Sequence, residues 1–489
     1  MLQILKVAIL LLAPLINAHP TGSGHNDLLI HTDLFSVKGI TWPNSTDVRF
    51  FGNIPYAESP IGTARFRPPI TKRPTNETID GSWFGPSCIQ YSNGQATVYS
   101  EYLKGFLLTP GQAQSEDCLT LNIWAPKAAN TNLPVMIWIH GGGFASGGAA
   151  SPYKYGDRLA KDQNVIVVAI NYRLNIFGYP NAAALDGRYL NPGLLDHRKA
   201  VEWVFNHISA FGGDPDHMIL FGHAMGVDKY AYAYATDPIV KGFIAQSGTA
   251  LSGNSNDPTN SNFTYVAAQL GCMSSNKDED LACMQKKDAK SIINVYNKYN
   301  ATSNGGKSLS FNPSLDKVTS FANYTDRQVR GLFARLPTIL AQVDNEGASL
   351  VVYNPAGPNQ TAVDAFTRSI STCPIAQGAL ARKNFGVPVW RTRYFGEWPN
   401  LNPFPWLHAY HSSDIPMVFG TSDLLGPDTA TEVAMSKYIQ GAWAAFARDP
   451  EQGISWPTYD PNADTLVKLG VENNTQAVFG VGDEFDGLC

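Results

Sequence analysis

The sequence predicts an α/β fold: a large, mostly parallel central sheet flanked by helices, with N-terminal antiparallel strands and helical insertions. Three observations carry that expectation. Leu133–Ile139 and Val165–Ile170 are continuous apolar runs of strand length, the mark of strands buried on both faces of a parallel or mixed sheet. Leu194–Ser209 has helical spacing, with Ala200, Val201, Val204 and Ile208 on one face. From about Leu133 onward strands alternate with helices, as in layered α/β domains.

Taken in order, Asp33–Pro69 alternates apolar and polar residues between Gly and Pro breaks and reads as short antiparallel strands. Leu119–Trp124 is a further strand. Ile219–Phe221 is a central strand leading into a glycine-flanked turn, and Gly242–Gln246 is the next. Asn254–Asn323 is rich in Asn, Ser and Lys and is expected outside the sheet, with the mixed charges of Lys277–Lys290 on a solvated helix face. Val387–Phe395 is a late strand, Pro399–Pro405 a proline-rich loop at the rim of a cleft, and Thr429–Ala447 a C-terminal helix. Phe144, Trp398, Phe404 and Trp406 are candidates for lining that cleft, with packing as the commoner use of such residues.

The chain has 489 residues, 44% hydrophobic and 16% charged, enough for a sizeable core. It shows no internal repeat, low-complexity tract or linker, so residues 19–489 are expected to form one domain. Net charge is −5 with no basic patch, which gives no reason to expect nucleic acid as a partner. Met1–Ala18 carries Lys6, the apolar run Val7–Leu12 and a small residue at Ala18. That is the layout of a cleaved secretory signal, and the run is short for a membrane span. The expected location is therefore secreted, with no transmembrane segment. Six cysteines suit an oxidising compartment. So do seven N-x-S/T sequons, at Asn44, Asn76, Asn262, Asn300, Asn323, Asn359 and Asn473.

Met218–Tyr234 reads as a buried strand, a tight turn and a helix. That is the layout of a nucleophile elbow, G-x-S-x-G. Here the turn is Gly222-His223-Ala224-Met225-Gly226: the glycines are in register and the serine is absent. His140-Gly141-Gly142-Gly143-Phe144 follows a buried strand. Consecutive glycines let backbone N–H groups turn to one point, as an oxyanion requires. Glu346 follows the apolar run Ile339–Ala341, and His411 comes later in the chain, giving the order elbow, acid, histidine. His408 is a rival that spacing alone does not separate from His411. No metal-ligand spacing and no nucleotide-binding glycine pattern after a strand is visible, so no metal and no cofactor are expected.

These segments resemble the type-B carboxylesterase/lipase family, the cholinesterase-like branch of the α/β-hydrolases, and most of all its secreted fungal members. The likeness runs through Phe51–Ala57, Arg65-Phe66, Ser115–Ile123, the HGGGF loop, Asn171–Leu174, Phe211–Pro215, Gln246–Gly248, the glutamate segment Val343–Gly347 and His411–Gly420. It implies an oxyanion hole from the N–H groups of Gly142, Gly143 and Met225, Glu346 as triad acid and His411 as general base. His411 is preferred because it sits nine residues before Gly420, as the family's histidine does. The resemblance also implies disulfides Cys88–Cys118 and Cys272–Cys283. Cys373 and Cys489 are left, and their pairing is an expectation only. Arg65 with Glu116 and Arg173 with Asp196 resemble structural ion pairs.

The departures are concentrated at the elbow. Ala224 stands at the nucleophile position, His223 precedes it, and about three residues are missing at the helix start relative to the family pattern. A shortened first turn is expected to re-aim that corner. Three readings follow. The chain is a member of an ester hydrolase family that has lost acyl-enzyme chemistry and binds a small hydrophobic ester, metabolite or protein; losing a triad serine costs on the order of a million-fold in turnover. Alternatively, His411, Glu346 and the glycine loop do proton-transfer work, as in a cyclase, isomerase or direct-water hydrolase acting on a secondary metabolite, with His223 as a second titratable group. Or a misplaced exon boundary hides an ordinary Ser-His-Glu esterase. An engineered Ser-to-Ala change explains Ala224 alone and not its neighbours. Substrate and oligomeric state do not follow from the sequence.

Overall fold

Successive side chains on a strand point to opposite faces. In Leu133–Ile139 this sends Val135, Ile137 and Ile139 into one apolar cluster and Met136 and Trp138 into another. Gly213–His223 repeats the pattern, with Met218 and Leu220 on one side and Ile219 and Phe221 on the other. A fully buried side chain of this size contributes about 1.5–3 kcal/mol. Strands with no polar face are therefore held between two helical layers.

The computed structural model describes residues 27–90, 94–127, 131–185, 187, 189–224, 226–251, 253–255, 257–302 and 309–489, without the side chains of 300–302. The expected signal segment Met1–Ala18 and the expected oxyanion donor Met225 lie outside the described residues.

Eleven strands form the central sheet: β1 (Ile40–Trp42), β2 (Ser45–Pro55), β3 (Thr120–Pro126), β4 (Leu133–Ile139), β5 (Ile166–Ile170), β6 (Gly213–His223), β7 (Gly242–Gln246), β8 (Thr338–Val343), β9 (Val389–Tyr394), β10 (Asp464–Leu469) and β11 (Val478–Val481). Their order is β11-β10-β9-β8-β7-β6-β4-β5-β3-β2-β1. The run from β5 to β10 is parallel, and both edges are antiparallel. This is the α/β-hydrolase architecture. The central strand is longer than the expected Ile219–Phe221, because its ends add polar residues that apolarity does not flag. The N-terminal region is antiparallel at Leu29–His31, β1 and β2, but Ser36–Lys38 also pairs parallel with Thr78–Asp80. After Pro55 the expected alternation gives no further strand, but a single antiparallel bridge from Ala57 to Thr71 and the short turn Gly62–Ala64.

The Asn254–Asn323 region stays outside the sheet, as expected, in helices Ser261–Gln269, Lys277–Lys286 and Ala289–Thr302. It is not merely a surface appendage, since Phe263, Met284 and Ile292 join the main core. The last helix, Ala430–Arg448, opens on a capping box between Thr429 and Glu432, which satisfies two end-of-helix donors. Disulfides join Cys88–Cys118, Cys272–Cys283 and Cys373–Cys489. Among the described residues no helix is long and apolar enough to cross a membrane.

Register decides what meets at the sheet's carboxyl edge. Gly222 of β6 pairs with Ile139 of β4, His223 with Gln246 of β7, and Gln246 with Ala341 of β8. The glycine loop, the elbow, the Gln246–Gly248 turn and the Glu346 segment therefore emerge side by side. Ligands in open α/β sheets bind beyond the carboxyl ends of the strands.

Candidate active site

The elbow path survives without a serine. Ala224 holds a left-handed φ of +61°, and a helix opens at Gly226 and runs to Ala233. A non-glycine residue there costs on the order of 1–3 kcal/mol and persists only where its surroundings impose it. Two features impose it here. The Ala224 N–H donates to the Gln246 carbonyl at 2.7 Å. Gly248 packs so closely on the Ala224 backbone that a Cβ at 248 would overlap it. Gly222 is similarly close to the Ile139 carbonyl. Gly222 is thus demanded by packing, whatever follows it, while a Cβ on Gly226 would meet side-chain atoms of Ile139 and His197 at 3.0 and 3.3 Å. The following helix is anchored by a buried pair, Asp228 with Arg382 at 2.7 Å.

His411 and Glu346 meet. Nδ1 of His411 lies 2.5 Å from Glu346 Oε2, and the carboxylate is fully buried. The other carboxylate oxygen accepts from the Val343 N–H at 3.1 Å and from Ser371 Oγ at 3.3 Å. The two loops are tied by a bridge between Asn345 and Tyr410 and by the Asn345 N–H donating to the Ala409 carbonyl at 2.8 Å. Tyr99 donates its hydroxyl to the His411 carbonyl at 2.7 Å. His408 points elsewhere: it is exposed and lies 3.0 Å from Glu397.

In the glycine loop Gly142 and Gly143 take φ of +127° and +62°. Their N–H groups donate to no acceptor among the described residues. His140 behind them stacks on Tyr172 at 4.4 Å, and burial pushes its pKa down to about 3. It is a neutral structural residue. His223 stands against this loop, so close that a Cβ on Gly141 would strike it. Its ring centroid is 4.3 Å from that of His411, and its Nε2 is 3.2 Å from Ser412 Oγ. Burial first, then the positive ends of His411 and Lys154, push its pKa well below the usual histidine value. Two imidazoles in contact cannot readily both be charged.

These groups border a cavity of about 470 Å³. Ala224, Ser247, His223 and His411 line it, and Tyr99, Phe106, Leu350, Phe366 and Ile370 form much of the rest of the wall. The aromatic residues suspected at the cleft are not in that wall. Phe144 packs on Tyr179, Trp398 donates to Tyr394, and Phe404 stacks on Trp406. No group of three or more metal-ligating side chains occurs among the described residues.

The carboxylesterase family model matches residues 26–364 and 354–480. The chain belongs to the carboxylesterase family. It is 36% identical over 490 residues to the chlorogenic acid esterase of Aspergillus niger, covering 94% of each chain. It is 35% identical over 534 residues to secreted lipase 5 of Gibberella zeae, covering 97% of each. Among solved structures it resembles a thermophilic PNB esterase, with a TM-score of 0.78 at 27% identity over 94% of this chain and 98% of that one.

Within this carboxylesterase-family site, three residues escaped sequence reasoning. Ser247 lies in a matched segment, yet nothing local shows that its hydroxyl is buried without a partner among the described residues, on a backbone with φ +56°. Asp414, whose buried carboxyl is raised to about 6 by desolvation, accepts from Gln246 at 2.7 Å. Lys154 reads as a surface lysine after a proline and is instead 2% exposed on the cavity. The ion pairs Arg65–Glu116 and Arg173–Asp196 form at 2.5 and 2.6 Å. Of the sequons, Asn44, Asn76, Asn323 and Asn359 are exposed, while Asn262 and Asn473 are half-buried and donate their amide nitrogens to backbone carbonyls. The side chain of Asn300 lies outside the described residues.

Proposed function

We propose that this carboxylesterase-family protein binds a small hydrophobic ester or carbonyl compound and moves protons through His411 without forming an acyl-enzyme. The observation that carries this reading is the buried 2.5 Å His411–Glu346 contact beside an alanine elbow and two undonated glycine N–H groups. Glu346 fixes the proton on Nδ1 and leaves Nε2 to accept one. The proton comes from a water attacking the carbonyl or from a carbon next to it. The negative charge that develops on the carbonyl oxygen is met by the Gly142 and Gly143 N–H groups. Met225 N–H is the third donor this reading assigns. An alanine methyl has no lone pair, so Ala224 takes no part.

A second reading is a binding protein. It is favoured by the His223–His411 ring contact at 4.3 Å, which fills part of the space a reacting group needs. The test is the purified secreted protein with a fluorophosphonate probe and p-nitrophenyl esters, alongside His411→Ala. Proton transfer predicts no labelling at the elbow and loss of turnover in the variant. Labelling of residue 224 in protein from the natural transcript would mean that a serine is restored there and the protein is an ordinary Ser-His-Glu esterase. Turnover unaffected by His411→Ala overturns the proton-transfer reading. We further infer that residues 19–489 form one secreted, glycosylated domain, a reading supported by three disulfides and the secreted fungal relative.

A further inference from the structure

The chemistry assigned to His411 leaves Lys154 unused. This residue ends the turn Pro152–Lys154. Its Nζ donates to the Phe106 carbonyl at 2.5 Å and lies 4.5 Å from the Phe106 ring centroid. An ammonium carries three N–H groups, and the Phe106 carbonyl takes one. Among the described residues Lys154 has no carboxylate partner. The titratable groups around it offer no negative charge. His140 and His223 are driven neutral by burial, His411 is occupied by Glu346, and the phenols of Tyr99 and Tyr153, both packed on Phe106, are pushed up by desolvation.

A buried cation without a partner carries a penalty of several kcal/mol. Burial accordingly lowers the Lys154 pKa to about 7. Among the described residues Lys229 is also deeply buried. Burial lowers Lys229 to about 7 as well, so the difference lies in partners: Lys229 donates to Asn254 at 2.7 Å, feels Asp228 and Asp316, and does not border the cavity. Lys229 is served by the protein; Lys154 faces open space instead.

We infer that Lys154 is an anion seat: the cavity takes an apolar molecule bearing a carboxylate, and that carboxylate pairs with Nζ. The inference deepens the proposed function by naming the ligand class. It is read by binding rather than turnover, so its failure and that of His411 chemistry are separate results.

The test is calorimetric titration of the whole protein with phenylbutyrate and with phenylbutyramide, a neutral match in size. The acid is expected to bind at least about tenfold tighter than the amide at pH 7, as a charge-assisted contact should. At pH 8, titrations in buffers of different ionisation enthalpy should show proton uptake with the acid and none with the amide. Lys154→Met should remove the acid's advantage while still binding the amide, which also reports that it is folded. Equal affinity of acid and amide for the wild type, no binding of the acid, or unchanged acid affinity in Lys154→Met overturns the seat. Should the variant not fold, the wild-type ratio and proton uptake decide.

Discussion

The elbow and the acid–histidine side meet at one edge of the sheet and are built differently. At Glu346 and His411 both side chains are in place, buried and 2.5 Å apart. At the elbow the backbone is in place and the side chain is not: Ala224 keeps a φ of +61° with nothing on it to react. The difference teaches what holds each region. The elbow's path is set by close backbone packing at Gly222 and Gly248, which is indifferent to the residue between. The acid and histidine loops are also tied through backbone at Asn345, Ala409 and Tyr410, but the contact itself is made by the Glu346 and His411 side chains and persists only if they do.

The comparison breaks most sharply at Glu346. Glu346→Gln should lower any His411-dependent turnover by about 10⁴-fold, since the amide no longer fixes the imidazole tautomer. Steady-state kinetics checks this, and unchanged turnover would make the preserved side as idle as the elbow. Next comes Ala224→Ser. If the elbow lost only its side chain, fluorophosphonate labelling should appear at residue 224 and p-nitrophenyl ester turnover should rise by roughly 10³-fold or more. Continued silence would assign the loss to His223 and the shortened turn as well.

Two stability measurements sharpen the contrast. Arg382→Met strands the buried Asp228 carboxylate of the elbow helix, and urea unfolding should show a loss of about 3–5 kcal/mol. Lys154→Met should act oppositely. The folded amine sits at about 7 against 10.5 for a free lysine. Between those values the unfolded chain holds a proton that the folded chain has released, so this group makes stability rise with pH. Replacing it should stabilise the protein at pH 6 by on the order of a few kcal/mol, and by less at pH 9. The smallest effect is expected at His408, whose exposed pairing with Glu397 is worth about 1 kcal/mol or less. His408→Ala should leave turnover and unfolding near wild type.

Much of the fold was legible because its signals are local. Leu133–Ile139 is bounded correctly by its apolar run, since a strand buried on both faces has no polar residue to interrupt it, and Gly242–Gln246 forms the next strand after the elbow over the expected residues. The glycine loop, the elbow turn and the order of acid and histidine were likewise visible in adjacent residues. Boundaries failed where polar residues extend an apolar centre, as in Gly213–His223.

By itself, then, the sequence determined the sheet, the family, the glycine loop and the absence of a hydroxyl at Ala224. Only the tertiary structure decided that His411 meets Glu346 while His408 meets Glu397, and that Cys373 meets Cys489 across a separation of 116 residues. It alone placed Ser247 and Lys154 on the cavity and sent Phe404 and Trp406 to packing. The physical reason is range. Periodicity and turn chemistry act between neighbours in the chain. A side chain's partner, its burial and the charge it can carry depend on which distant segments the sheet register brings to the same edge.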